Sequence, residues 1–439
     1  MSWETVKLGE VLTHRKGFIT ISDTEKYKLC RVQLHRKGVL LREIVGGATI
    51  RTKKQQLCKA NDFIVAEMDA KVGGYGFIPD ELEGAIVSSH YYLFEVNENL
   101  LKRDFLAVLN KAQTLQSQIK ATGSTNYASV RPSDVLAWEI PLPTIEEQKR
   151  IVEKIQTVET NKNQISTELN HQLALVKELR QAYLREAMQG KLIPQDSADE
   201  PAEILLEKIK AEKEKLVAEK KIKRDKPLPL IKPEELPFEI PSNWTWCRFS
   251  DLKNAQFPLS YGVLVPGNDV NGGVPFVRVQ DLDVAHLQNP PSKSISQAID
   301  KQYLRTKLVG GEILICVVGS IGKVALVPDA WIGANIARAV CRFMPSNQIS
   351  RKFLYYSLNS PSVQDYFKEG YKSIQPTLNV NVLEITPIPL PPLAEQERIV
   401  TKLEKLMKLC DELEANIEQG ITNADRLLQT ALKEALEPK

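Results

Sequence analysis

The sequence has no apolar run approaching the ~20 residues needed to cross a bilayer. No apolar core follows the opening Met1-Ser-Trp-Glu-Thr-Val-Lys, so no secretory signal is expected. Cysteine is sparse: Cys30, Cys58, Cys247, Cys316, Cys341 and Cys410 are scattered, with no Cys-x-x-Cys pair. That pattern is expected of reduced, mostly core thiols in a cytoplasmic protein. The histidines (His14, His35, His90, His171, His286) show neither His-Glu-x-x-His nor any Cys/His ligand spacing, so no metal site is expected. No Gly-x-Ser-x-Gly elbow occurs either. An excess of one charge is also missing. Lysine plus arginine number 58 against 55 acidic residues, a net +3, which neither demands nor excludes a nucleic-acid partner.

What is present is ordinary globular material. Apolar residues make up 43% and charged residues 26% of 439, enough for several domains with real cores. The organising feature is a repeat. Ile140-Pro141-Leu142-Pro143, then Glu147-Gln148 and Arg150-Ile151-Val152, recurs as Ile388-Pro389-Leu390-Pro391, Glu395-Gln396 and Arg398-Ile399-Val400. Every identity lies 248 residues from its twin (396 − 148). Arg31-Val32-Gln33 matches Arg278-Val279-Gln280, Pro79-Asp80 matches Pro328-Asp329, and Trp3 stands near one start as Trp244 does near the other. Ordered matches near one offset mean two similar halves in tandem. In each copy proline, lacking an N–H, ends a folded unit at a strand, and a Glu/Gln/Arg-rich turn opens a helix.

The pattern along the chain gives an α+β domain over 1–143. Strands are expected at 62–68 and 85–96, and a helix at 101–120. A Gly-rich turn, Asp69 to Gly76, carries Lys71 and Tyr75, and a polar loop carries Ser124 and Asn126. A long helix follows over 144–190. Its apolar seam, Ile151, Ile155, Val158, Ile165, Leu169, Val176, Leu179 and Tyr183, alternates steps of four and three as heptads do. Gly190 is a plausible C-cap. A charged helix and Pro-rich connector occupies 191–241, where Lys220 to Arg224 is taken as a solvated helix end rather than a phosphate site. The α+β pattern returns over 242–391, with a helix expected at 351–367. Its turn Gly319-Ser320-Ile321-Gly322 lies where Lys71 to Tyr75 lie in the first half. The last segment, 392–439, is a second long helix whose seam is Ile399, Leu403, Leu406, Leu413, Ile417 and Leu427. Two seam helices pack on each other. Run antiparallel, they place the two globular domains at opposite ends of a rod.

Two near-motifs fail on chemistry. Asn289-Pro290-Pro291-Ser292 resembles the Asn-Pro-Pro-aromatic motif of adenine-N6 methyltransferases, but Ser292 cannot stack on an extruded base. Gly319 to Lys323 lacks the phosphate-loop spacing, and Val324 stands where the metal-binding hydroxyl belongs. A catalytic chain is not expected.

The doubled Pro-Leu-Pro and Glu-Gln-x-Arg-Ile-Val motifs, and the segment Gly190 to Leu206, resemble the specificity subunit of type I restriction–modification systems across essentially the whole chain. The resemblance implies two target-recognition domains, joined by two long helices packed as an antiparallel coiled coil. Each domain would read one half of a split asymmetric site in double-stranded DNA. Two methyltransferase (M) subunits would dock on the helices and restriction (R) subunits would join them. S-adenosylmethionine would be held by the M subunit, with no cofactor on this chain. The turn Lys71 to Tyr75 departs from the Gly-Ser-x-Gly-Lys form of the second half, which puts equivalent DNA contacts by the two turns in question.

Within that reading the DNA-contacting candidates sit in polar loops: Lys71, Tyr75, Ser124, Asn126, Ser320, Lys323, Lys372 and Gln375. Arg51, Lys53 and Lys54 form a basic run suited to phosphates. Glu147, Gln148, Arg150, Glu395, Gln396 and Arg398 are assigned to helix starts and partner contacts. Two other classes stay open at this point, a coiled-coil adaptor without DNA function and a stand-alone DNA-binding regulator.

Overall fold

The computed structural model describes residues 3–119, 129–283, 287, 289–370 and 377–437. It divides into two compact units, residues 1–171 with 417–439, and residues 172–416. The division runs through both long helices, because each half of a helix packs on the globular domain beside it. The connector is no separate piece. It belongs to the second unit, where its helix Ala202–Ala218 buries Ala202, Leu205, Leu206 and Ile209 in that unit's core. Arg248 pins the Pro-rich part, donating to the Glu235 carboxylate at 2.6 and 3.0 Å and to the carbonyls of Pro229 and Leu230.

The first unit holds an antiparallel four-stranded sheet in the order Leu12–Arg15, Tyr91–Val96, Phe63–Ala66, Tyr75–Phe77. Phe63-Ile-Val-Ala is buried on both faces, as its unbroken apolar run requires. A second sheet of five strands includes one parallel pairing, Leu29 with Ile86. The second unit repeats this plan. Its four-stranded sheet runs Ser260–Tyr261, Val340–Phe343, Ile313–Cys316, Val324–Leu326, and its smaller sheet again contains one parallel pair, Phe276 with Asn335. Two expected helices are shorter than their spacing suggested. The first stops at Lys111, since Gln113 takes φ +65°. In the second half Arg351–Leu358 and Pro361–Gly370 are separate, Pro361 opening the new helix where its missing N–H costs nothing.

Each unit is closed by a two-stranded ribbon containing the repeated prolines. Glu4–Lys7 pairs with Glu139–Leu142, and Thr245–Arg248 pairs with Pro387–Leu390, in the same register (Glu4 with Leu142, Thr245 with Leu390). A two-stranded ribbon has a free edge, where proline's absent N–H is tolerated. Trp3 and Trp244 therefore occupy the same place, one residue before the ribbon. The repeated glutamine completes the closure. Gln148 accepts from the Lys102 N–H at 2.7 Å and donates to the carbonyls of Leu100 and Pro143, each at 2.9 Å. Gln396 accepts from the Ser350 N–H and donates to the Pro391 carbonyl, each at 3.0 Å. Lys102 and Ser350 are the N-caps of equivalent helices, so one amide ties the last ribbon strand, the long helix and the preceding helix together.

The long helices span Ile145–Met188 and Leu393–Ala435. In the first unit Ile151, Val152 and Ile155 pack with Ala431, Leu432 and Ala435, and Lys162 pairs with Asp425 at 2.8 Å. In the second, Leu184, Ala187 and Met188 pack with Ile399, Val400 and Leu403. Arg180 there reaches Asp411 at 2.6 Å and Glu414 at 3.0 Å. Rising numbers on one helix meet falling numbers on the other, so the coiled coil is antiparallel.

Three expected seam residues face outward: Ile165, Leu413 and Leu427 are 45%, 47% and 58% exposed. Their neighbours Ser166, Glu414 and Leu428 turn inward instead. A strict heptad drifts about 20° per repeat against the helix's own 3.6-residue period. Here an extra step of four, from Lys162 to Ser166 and from Cys410 to Glu414, absorbs the drift in both helices. The remaining assigned residues are buried or half-buried.

Gln148→Leu should destabilise the first unit by about 1–3 kcal/mol, because it strands the partly buried Lys102 N–H and two carbonyls. Urea unfolding followed through the first unit checks this. A loss below a few tenths would show that the amide is incidental.

Candidate nucleic-acid interface

The turns singled out in the sequence occupy one topological position. Residues 67–74 join the strands Phe63–Ala66 and Tyr75–Phe77, and residues 317–323 join Ile313–Cys316 and Val324–Leu326. Lys71 lies on the first turn, half-buried. Tyr75 does not belong to a surface. It starts the return strand and is fully buried between Phe63 and Trp138, with ring centroids 6.1 and 6.0 Å away. Burial pushes its phenol up to about 12, and its hydroxyl has no hydrogen-bond partner among the described residues. Strand alternation after the Gly-Gly pair sends this ring inward, so it is withdrawn from the DNA-contacting set.

Sequence reasoning missed what lies beside Lys71. The hairpin loop 33–38 packs on the turn through backbone bonds, His35 N–H to the Val72 carbonyl at 2.7 Å and Arg36 N–H to the Gly73 carbonyl at 2.9 Å. His35 and Arg36 both adopt positive φ, 58° and 60°, and Gly73 adopts φ +78°. A Cβ on Gly73 would lie 2.9 Å from the Arg36 nitrogen, so only glycine permits the approach. Arg36, Lys37 and Lys71 thus form one basic cluster, and the Arg36 Nη1 is buried without a hydrogen-bond partner among the described residues. The basic dipeptide before Gly38 was visible; its proximity to Lys71, 35 residues away, was not.

The second turn is built differently. Gly319 and Gly322 take φ +82° and +83°, leaving Ser320 exposed at the tip. Gln364 holds the Gly322 carbonyl at 2.8 Å. Lys323 forms an ion pair with Asp283, which follows the strand Val274–Val277 as Arg36 follows the strand Lys26–Val32. The same two loops meet in each unit, cationic in the first and charge-paired in the second. Ser124, Asn126, Lys372 and Gln375 lie outside the described residues.

The basic run is largely committed to its own fold. Lys53 pairs with Asp23 at 2.5 Å and donates to the Gly47 carbonyl, while the Lys54 ammonium sits 4.9 Å from the Phe18 ring centroid. Arg51 is exposed and has no side-chain partner among the described residues.

The repeated Glu-Gln-x-Arg motif splits by position. Gln148, Glu395 and Gln396 are each fully buried, so these three are structural and cannot meet a partner. Glu395 accepts from the Trp244 indole N–H at 2.9 Å and from Gln195 at 2.6 Å. Arg398 forms a two-pronged pair with Asp199 at 2.5 and 3.1 Å. Glu147 and Arg150, by contrast, face solvent, and their side chains pair only with each other among the described residues, at 3.5 Å.

Burial raises the Glu395 carboxyl above the ordinary glutamate range despite its two donors. A raised native pKa contributes stability that is full below the unfolded value and lost as pH rises through the native one. The stability of the native protein relative to Glu395→Gln should therefore fall with rising pH across that window. Urea midpoints of both proteins at several pH values check the sign, and a gap that grows with pH would contradict it.

With this geometry in view, comparison with known proteins is direct. The model of the family described as the type I restriction modification DNA specificity domain matches residues 1–175 and 267–423. The EcoBI specificity subunit of Escherichia coli is 27% identical over 441 residues, covering 99% of this chain and 85% of its own length. The EcoEI specificity subunit of Escherichia coli is 32% identical over 274 residues, 59% of this chain and 46% of that protein. Among solved structures, a chain from a study of type I R-M system assembly and conformational transition superposes with TM-score 0.71 at 20% identity, covering 99% of this chain and 98% of that one. The HsdS subunit from Thermoanaerobacter tengcongensis gives TM-score 0.56 at 20% identity, covering 99% and 96%. The paired strands, buried glutamines and antiparallel helices recur in both halves, the family model matches both, and the chain belongs to the type I restriction–modification specificity subunits.

Proposed function

We propose that this chain is the DNA-reading subunit of a type I restriction–modification complex, each unit reading one half of a split asymmetric site through its pair of turns. The observation that carries the reading is a duplicated scaffold bearing non-identical tips. Strands, ribbons and glutamine ties recur, while the loops that meet at the turn differ in charge, with Arg36, Lys37 and Lys71 in one unit and Lys323 with Asp283 in the other. Two unlike half-sites require such a division. A few side-chain contacts to base edges, each discriminating by about 1–3 kcal/mol, suffice for useful specificity. The cations position the phosphate backbone, and Ser320 and the loops around the turns supply donors and acceptors.

The two long helices set the gap between half-sites and dock two methyltransferase subunits, with restriction subunits completing the complex. An added helical turn would shift the spacing by 5.4 Å, more than one base-pair step. This chain is non-catalytic in that scheme. Adenine-N6 methylation and cleavage are carried by the partners, and S-adenosylmethionine is bound by the methyltransferase.

Co-expression with a methyltransferase subunit, followed by single-molecule sequencing for methyladenine, should give a two-part motif with a fixed gap. Arg36→Ala with Lys71→Ala should weaken methylation through the first unit's half-site, and Ser320→Ala should relax the other half alone. A motif unchanged in both variants would overturn the assignment to these turns. A stable complex that methylates nothing would overturn the DNA-reading role.

A further inference from the structure

The internal repeat supplies a template for a site that is filled in one unit and open in the other. In the second unit the chain leaving the first long helix turns at Gly190, with φ +66° and the Lys191 N–H returning to the Glu186 carbonyl. It then lies along the start of the second long helix. Leu192 and Ile193 pack beside Trp244 and Ile399, the Gln195 amide reaches Glu395, and Asp199 clamps Arg398. Trp244 is buried in this cluster, to which Phe238 and Ile240 also contribute.

The tryptophan, glutamate and arginine of that cradle have twins in the first unit. Trp3 stands one residue before the ribbon, Glu147 and Arg150 stand on the first turns of the first long helix, and the C-terminal turns of the second long helix pack alongside. Together they line an open groove of Trp3, Pro143, Thr144, Glu147, Arg150 and Glu434. Arg150 is 76% exposed. Trp3 is half-buried and its indole N–H has no hydrogen-bond acceptor among the described residues. No described segment does here what residues 190–199 do in the second unit.

We propose that this groove is a docking site for an extended segment of a partner polypeptide, carrying two adjacent aliphatic side chains, then an amide, then a carboxylate, in the spacing of Leu192, Ile193, Gln195 and Asp199. The aliphatic pair covers Trp3, the amide donates to Glu147, and the carboxylate takes the fork of Arg150, a geometry suited to two parallel charge-assisted bonds. The proposal deepens the partner-docking part of the proposed function, on which it rests only for the source of the segment. The chemistry of the occupant comes from the second unit.

The test places the known occupant in the open groove of the full chain. Leu436 lies 248 residues beyond Met188, so residues 189–200 are grafted directly after Leu436 (436 − 188). Residue-resolved oxidative footprinting of Trp3 is the readout. The graft should slow Trp3 oxidation several-fold, toward the rate of Trp244. Arg150→Glu should restore fast oxidation, and changing the grafted copy of Asp199 to Lys in that background should slow it again. Because Arg150 is so exposed, its substitution should leave the circular dichroism unchanged. Unaltered Trp3 oxidation in the graft, or protection that survives Arg150→Glu, would overturn the proposal. Neither DNA nor methyltransferase is present, so failure here leaves the DNA-reading role standing, and failure of methylation leaves this site standing.

Discussion

A single buried amide, used twice, holds each half of this protein in shape. Gln148 and Gln396, each on a long helix, satisfy backbone groups from the two segments that meet that helix with no regular ladder between them. Buried backbone donors and acceptors need partners, and at the junction of ribbon, long helix and short helix the glutamine amide supplies them. Because the glutamine sits in the first turn of a helix more than forty residues long, its position orients that helix against the domain. The turns at the far side of each sheet can then vary without disturbing the attachment.

That division also explains which parts of the protein were legible in the sequence. The repeat, the prolines and the long helices are local or periodic features, and they appear where their spacing put them. The role of Gln148 was hidden because its partners Leu100 and Lys102 lie more than forty residues away and contribute backbone atoms, which carry no sequence signature. The seam was legible in extent and misplaced in detail. A heptad template selects Ile165 for its hydrophobicity, whereas the 3.6-residue period selects Ser166, and geometry prevailed over side-chain character. Tyr75 looked like a loop residue because the Gly-Gly pair before it reads as a turn. The strand begins one residue sooner than that pattern suggests.

The candidate interface was legible in place and incomplete in membership. Both turns were found, but the loop carrying Arg36 joins the first through two consecutive residues at positive φ, a conformation few non-glycine residues adopt and none announces. The charged twin motifs gave the opposite difficulty. Identical letters implied identical roles, yet Glu395 is buried beneath a segment of its own chain while Glu147 is open to solvent. Repetition in a sequence specifies a scaffold, and what covers the scaffold is specified elsewhere.

The inward positions of the two helices carry one further consequence. They lie at the same 248 offset, but Lys162, Arg180 and Glu414 correspond to Cys410, Leu428 and Ser166. If the first half paired with a copy of itself, Arg180 would face a serine. If the second half did so, the Glu414 carboxylate would face a leucine. Each self-pairing would leave a half-buried charge without its counter-ion, a cost that the mixed pairing avoids. The ion pairs Arg180–Glu414 and Lys162–Asp425 therefore favour the pairing of unlike halves over the pairing of duplicates.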